Sequence, residues 1–391
     1  MEYNFDYKNN LILNPVENLP FLFVKEYNQQ IEGLYISDKV RTNQQKESAS
    51  ILFSGREKLS SEINLIYQKW AELLHADALS MRLLSGLHAH IITFMGIGNI
   101  GDSVLLLPTE AGGHYATQAI LERLGYKVIT MSVDYNNYCV DHTETLNIIK
   151  KYNPQFIFVD RSEGINYEDF TDIATASDAC TIYDASQYLT NILVESFTSP
   201  FNMGFDFILS TLHKNFPGPQ QALICSKDKT NIYWGKILAG MSSFVSNLHA
   251  ENIFKAGAAI NDMILLQKYA NLSIQNSVLL ERYLAENNVP IIPKNPDMYA
   301  THHIWIPLNG QREALKIYQR LEQYHLLVNY RLLPYNLGYG LRLGTTAATI
   351  QGLKPEQTKL LAKIISDIIL DNKKTTPEYA ENFIRELVPL S

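Results

Sequence analysis

Cysteine is scarce in this chain. Three residues in 391, Cys139, Cys180 and Cys225, stand too far apart for a disulfide framework or a thiolate metal site. Positive charge is also short, with 33 Lys and Arg against 40 Asp and Glu, a net charge of −7. Nucleic acid and anionic membrane both demand clustered cations, so neither is expected as a partner. No apolar run reaches membrane-spanning length, and no internal repeat or low-complexity tract is visible. No secretory leader is read at MEYNFDYKNN, so a reducing cytoplasm is the expected location. What remains is 46% apolar and 19% charged, the make-up of a soluble globular protein, and the length favours two domains.

The first 55 or so residues read as a polar, irregular arm suited to wrapping a partner subunit, with one apolar patch at NLPFLFV. Leu59, Ile63, Ile66, Tyr67, Trp70, Leu73 and Leu74 then recur at helical spacing. In MRLLSGLHAHIITFMGIG a Ser-Gly turn leads into an apolar helix, which offers backbone N–H groups and a hydroxyl to a phosphate. From residue 104 strands alternate with helices: VLLLP, KVITM, FIFVD, TIYDAS, FDFILST and ALICS are read as strands, and YEDFTDIATAS among others as a helix. That alternation predicts an α/β fold with a mostly parallel sheet covered on both faces. The expected domains are an arm at 1–55, a large domain at 56–250, linking helices at 251–290 and a smaller α+β domain at 291–391.

Asp184 closes one apolar strand, and Lys214 follows His213 just past the end of another. In open α/β sheets such strand ends face one crevice. A carboxylate and a primary amine there suit pyridoxal phosphate (PLP): the amine condenses with the aldehyde and the carboxylate keeps the ring nitrogen protonated. Read alone, the same pair is an ion pair and a surface lysine. Glu17, between turn-prone neighbours in LILNPVENLPF, reads alone as a surface loop acid.

Seven segments in order resemble the serine hydroxymethyltransferase family. VENLPF resembles its SENF segment, LFSGREKLSSEI its YYGG–helix segment, SGLHAH its SGSQAN turn and PTEAGGHYAT its GGHLTHG loop. YDASQ resembles DMAH, STLHKNFPGPQ the THK-x-x-x-GP lysine motif, and YGLRLGTTAATIQGL the segment SGIRIGTPALTTRGF. The resemblance implies fold type I, PLP as cofactor, an amino acid substrate and a homodimer. It implies Lys214 as the Schiff-base lysine, Asp184 on the ring nitrogen, His114 stacked on the ring, and Ser85 and Gly86 on the phosphate. Thr211, His213 and Gln187 would line the cofactor, with Ser162 near the ring oxygen. Arg342 would clamp the substrate carboxylate, and Glu17 would act as acid/base on a substrate hydroxyl. His303 matches a family strand histidine, and a packed structural role fits it equally.

The chain also departs from the family pattern. Phe53 and Gln45 stand where the family carries paired tyrosines, Gln187 replaces the DMAH histidine, Gln220 the arginine after GP, and Leu87 the second serine of SGS. The folate-contacting segment reads NYRLLP. These changes leave the PLP core intact and weaken the case for tetrahydrofolate. The expected activity is folate-independent aldol or retro-aldol chemistry at Cα–Cβ of an amino acid, as a hydroxymethyltransferase, aldolase or transaldolase. The alternatives are a PLP-dependent racemase, aminotransferase or decarboxylase, and a non-catalytic dimeric homologue.

Overall fold

The structure, a computed structural model, describes residues 9–27, 33, 35, 42–372 and 375–390. Residues 1–8 and most of 28–41, parts of the expected N-terminal arm, lie outside the described residues. The central sheet has seven strands: β1 (Ala78–Leu83), β2 (Ser103–Leu106), β3 (Lys127–Thr130), β4 (Phe156–Val159), β5 (Cys180–Asp184), β6 (Phe207–Thr211) and β7 (Ala222–Ser226). Their order is β1-β7-β6-β5-β4-β2-β3. Only β7 runs against its neighbours; all other pairs are parallel. The expected mostly parallel α/β sheet is borne out.

Strand residues point alternately to opposite faces, and here the alternation divides the apolar core in two. Ile157, Val159, Tyr183, Ile208, Leu223 and Cys225 enter one cluster, with Leu59, Ile63, Trp70 and Leu74 of helix α1 (Glu57–Leu74). Phe156, Phe158, Ile182, Phe207, Leu209 and Ile224 enter the other, under helix α2 (Gly86–Ile97). Burial on both faces is why these strands read as continuous apolar runs. Helices α3 (Thr117–Arg123) and α4 (His142–Tyr152) flank the sheet edge, and α5 (Ile232–Phe244) packs against α2. That packing is close: a Cβ at Gly96 would stand 2.9 Å from the Lys236 carbonyl oxygen.

Past the sheet come α6 (Ala250–Ala259), the long α7 (Met263–Glu286) and a three-stranded antiparallel sheet. Its strands are β8 (His303–Pro307), β9 (Asn329–Leu333) and β10 (Gly338–Gly344), with β10 central. Helices α8 (Gln311–Gln323), α9 (Pro355–Ile369) and α10 (Pro377–Arg385) complete a third apolar cluster with it. No helix among the described residues is long and apolar enough to cross a membrane.

Several local expectations need correction. YEDFTDIATAS holds only one helical turn, Thr171–Ala174. Asn166 and Tyr167 are extended and pair with Ala300 and Tyr299, and Asp169 caps the turn by accepting from the Thr171 N–H and hydroxyl. The 250–287 stretch is two helices, because the Asp262 carboxylate takes the Leu265 N–H at 2.8 Å and starts a new helix there. Strand β1 and helix α5 were not foreseen. The arm is less peripheral than expected: Leu11 and Ile12 pair in parallel with Leu326 and Leu327, while Phe21 and Val24 enter the large core. Leu11, Ile12, Leu13, Phe21 and Val24 gain more from burial than from an exposed arm, while Leu22 and Phe23 stay exposed.

Candidate active site

Asp184 ends β5 on the α2 face, in phase with the buried Ile182. Helix α2 starts at Ser85, whose Oγ accepts the His88 N–H at 3.2 Å. One turn on, His90 points inward, and its Nε2 lies 2.8 Å from Asp184 Oδ2. The other carboxylate oxygen, Oδ1, accepts the Ser186 N–H at 2.8 Å. Burial alone would raise the Asp184 pKa, but the His90 hydrogen bond and charge, Lys214 and the Ser186 side chain outweigh it and hold the carboxyl below its ordinary value. His90 is itself fixed, with Nδ1 3.2 Å from Thr117 Oγ1 and its ring edge-on to Phe158.

Lys214 sits in the turn after β6. Its neighbour Asn215, fully buried, anchors that turn. The Asn215 side chain accepts the Thr190 N–H at 2.7 Å and donates to Asn191. Its carbonyl receives the Tyr269 hydroxyl at 2.7 Å, the Thr190 hydroxyl at 3.0 Å and the Asn18 amide at 3.3 Å. Burial pulls the Lys214 pKa below its ordinary value; Asp184 opposes this and Arg342 adds to it. An amine so shifted is nearer the neutral form that attacks a carbonyl.

His114 and His213 flank the amine. Burial, with help from His90 and Lys214, brings His114 down to about 4. Burial and Lys214 bring His213 to the same value. Both rings are therefore neutral at pH 7. The loop carrying His114 docks on the segment after β4 through the Gly112 carbonyl, which accepts the Ser162 and Glu163 N–H groups at 2.9 and 3.0 Å. Gly112 has φ +85°, and a Cβ there would lie 2.1 Å from the Glu163 carbonyl oxygen, so glycine is required. Beneath this loop Arg161 pairs with Glu168 at 2.8 Å and donates to Tyr335 at 3.1 Å.

Arg342, on β10, is 3% exposed. Its Nε donates to Asn329 Oδ1 at 3.1 Å, and its Nη1 reaches the Ser162 carbonyl at 3.4 Å and Glu163 Oε2 at 3.5 Å. The second amino group, Nη2, has no partner among the described residues. Burial lowers the Arg342 pKa to about 10, against the pull of Glu163. Gln187 Oε1 lies 3.2 Å from the Nε2 of the buried His303. Glu17 is exposed and lines a surface cavity of about 340 Å³ with His213, Gly218 and Pro219. The structure thus brings Lys214 near Asp184, His114, His213 and Arg342, sets Gly86, next to Ser85, against Thr211 and Asp184, and joins Arg342 to the Ser162 carbonyl, while Glu17 shares a surface cavity with His213.

Four residues escaped the sequence reading. His90 lies inside SGLHAH on an otherwise apolar helix stripe, which was a signal. Asp160 follows β4 directly beside Asp184, since Val159 is in register with Tyr183. It is 1% exposed, and burial followed by the nearby Asp184 charge pushes its carboxyl well above its ordinary value. Glu163 and Arg331 form an ion pair near Arg342.

The crevice fits PLP on its own terms. The Gly86 and Leu87 N–H groups at the start of α2 have no partner among the described residues, and neither has the buried Thr211 hydroxyl. A Cβ on Gly86 would stand 3.0 Å from Thr211 Cγ2 and 3.9 Å from Asp184 Oδ2, filling the space between helix start and carboxylate. A neutral-leaning amine, a held carboxylate and a flat neutral imidazole complete the donor set. The fold is that of a fold type I PLP-dependent enzyme. L-threonine transaldolase from Pseudomonas fluorescens superposes with a TM-score of 0.90 at 21% identity, over 98% of this chain and 89% of that one. Residues 49–365 match the serine hydroxymethyltransferase family, and the chain belongs to it. Among its relatives, the serine hydroxymethyltransferase of Staphylothermus marinus is 26% identical over 90% of this chain and 82% of its own length. That of Saccharolobus islandicus is 27% identical over 88% and 82%.

Proposed function

We propose that this enzyme breaks and forms the Cα–Cβ bond of a β-hydroxy amino acid without tetrahydrofolate as acceptor. PLP, when bound, supplies an electron sink for the α-carbon. Asp184, held anionic by His90, pairs with the ring nitrogen and keeps its proton. Lys214 supplies the amine that holds the cofactor, and His114 offers a neutral ring face. Arg342 binds the substrate carboxylate through its unengaged Nη2, which orients the bonds at Cα. Glu17 takes the β-hydroxyl proton at the outer edge, where it shares a cavity with His213. Exposed Leu84, Leu87 and Tyr115 flank Ser85–Gly86 and His114, and a second copy of the chain covers them in a homodimer. Three free cysteines support a reducing, cytoplasmic setting.

The observation that carries this reading is the buried His90–Asp184 pair set against a lysine whose pKa burial has lowered. The test is incubation of the PLP-loaded protein with L-threonine and L-serine while released aldehyde is measured. Aldehyde release that disappears in Lys214→Ala, together with the visible cofactor absorbance, is expected. Exchange of the α-hydrogen with no aldehyde overturns the bond assignment. A Lys214→Ala protein that stays yellow and is reducible by borohydride overturns the lysine assignment.

A further inference from the structure

Arg342 shares its crevice with a carboxylate belonging to the protein itself. Glu163 is 1% exposed and lies between two guanidinium groups. Its Oε1 is bound by Arg331 Nη1. Its Oε2 faces Arg342 Nη1 at 3.5 Å, too far for a hydrogen bond, and that buried oxygen has no other partner. Arg331 and Arg342 reach Glu163 from one sheet face, because Asn329 is in register with Arg342 and Arg331 lies two residues further along β9. The two arginines differ in setting. Arg342 is buried, whereas the Arg331 side chain is a quarter exposed.

From this geometry we infer that Glu163 is a built-in competitor for the substrate carboxylate at Arg342, and that Arg331 restrains it. The inference rests on the proposed role of Arg342 as carboxylate site. Glu163 lies against the guanidinium that an incoming carboxylate needs. A buried anion binds the cation that offers the better hydrogen bond, and Arg331 currently holds it. The Arg331–Glu163 pair therefore sets amino acid affinity without touching the amino acid. The three groups together carry one net positive charge, which a single substrate carboxylate neutralises. The consequence is a definite pattern of signs. Removing the Glu163 charge strengthens carboxylate binding. Removing Arg331 frees Glu163 to close on Arg342 and weakens it, although Arg331 is itself a cation near the site. Removing both cancels the penalty.

The experiment is a spectral titration of the PLP-loaded wild type, Glu163→Gln, Arg331→Leu and the double variant with glycine, reading the equilibrium dissociation constant rather than turnover. A Kd at least about fivefold lower is expected in Glu163→Gln, the lower limit for one charge removed at a few ångströms in a medium as polar as water. A Kd about tenfold higher is expected in Arg331→Leu, and the double variant should bind at least as tightly as wild type. Methylamine, which has an amine and no carboxylate, should show none of these differences. Weaker glycine binding in Glu163→Gln overturns the inference, as does a double variant no better than Arg331→Leu. Equal shifts for methylamine also overturn it, by pointing to a general disturbance of the site. If no amino acid perturbs the wild-type spectrum, the proposed function fails instead, a result distinct from all of these.

Discussion

Replacing His90 with leucine tests the physical basis of the site without touching the lysine. The side chain is buried against Phe158, and its Nε2 is 2.8 Å from Asp184 Oδ2. Leucine fills much of the imidazole volume but leaves Asp184 with the Ser186 N–H as its remaining close hydrogen bond. Losing a hydrogen bond to a buried charged group costs about 1.5–3 kcal/mol. Unfolding of the apoprotein in denaturant at pH 7 should register that loss. The pH dependence carries a sign as well. The folded-state pKa of Asp184 lies below its ordinary value. The wild type therefore has this stability above the unfolded carboxyl pKa of about 3.9, and loses it as pH falls through the lower folded value. Burial, the largest influence on Asp184, pushes the pKa up. With His90 gone it wins more ground, the folded pKa moves back toward the unfolded one, and the stability that this group loses on acidification is smaller in His90→Leu than in the wild type. A cycle with Asp184→Asn should give a coupling of about 1.5–3 kcal/mol. PLP affinity should fall in parallel, because a less anionic Asp184 holds the ring proton less well. A His90→Leu protein within about 0.5 kcal/mol of wild type, additive with Asp184→Asn and unchanged in PLP affinity, would refute the reasoning.

Arg342→Ala should raise the amino acid KM by roughly ten- to a hundredfold, from the loss of a charge-assisted hydrogen bond of about 1.5–3 kcal/mol, and steady-state kinetics with an unchanged KM would remove its clamp role. Gly86→Ala should weaken PLP binding and cost about 1–3 kcal/mol by overpacking against Thr211 Cγ2, 3.0 Å away; adding Thr211→Ser, which removes that methyl, should recover part of both in a fluorescence titration. Tetrahydrofolate should leave turnover of L-serine nearly unchanged, and strong stimulation would mean that Phe53, Gln45 and the NYRLLP segment do not disable folate use.

The legible parts of this protein are those whose chemistry is tied to local pattern. Continuous apolar runs announced the strands because both sheet faces are covered, and Asp184 and Lys214 stood out because strand ends in such sheets face one crevice. The supporting residues have no local mark. Asn18 meets Asn215 across 197 positions and Tyr269 across 251, and these contacts hold the lysine turn in place. No periodicity links residues so far apart; the sheet brings them together only once it has formed. Asp160 shows the intermediate case. FIFVD and TIYD both end in aspartate, and strand register makes those two acids neighbours, but register is a tertiary fact. Where two carboxyls end up adjacent and buried, the one whose hydrogen bonds and neighbouring cations outweigh burial is held below its ordinary pKa and the other is pushed above it. His90 supplies that distinction here. The identity of the cofactor-facing acid is thus decided by a histidine on α2, an element separate in sequence from the adjacent strands that present the choice.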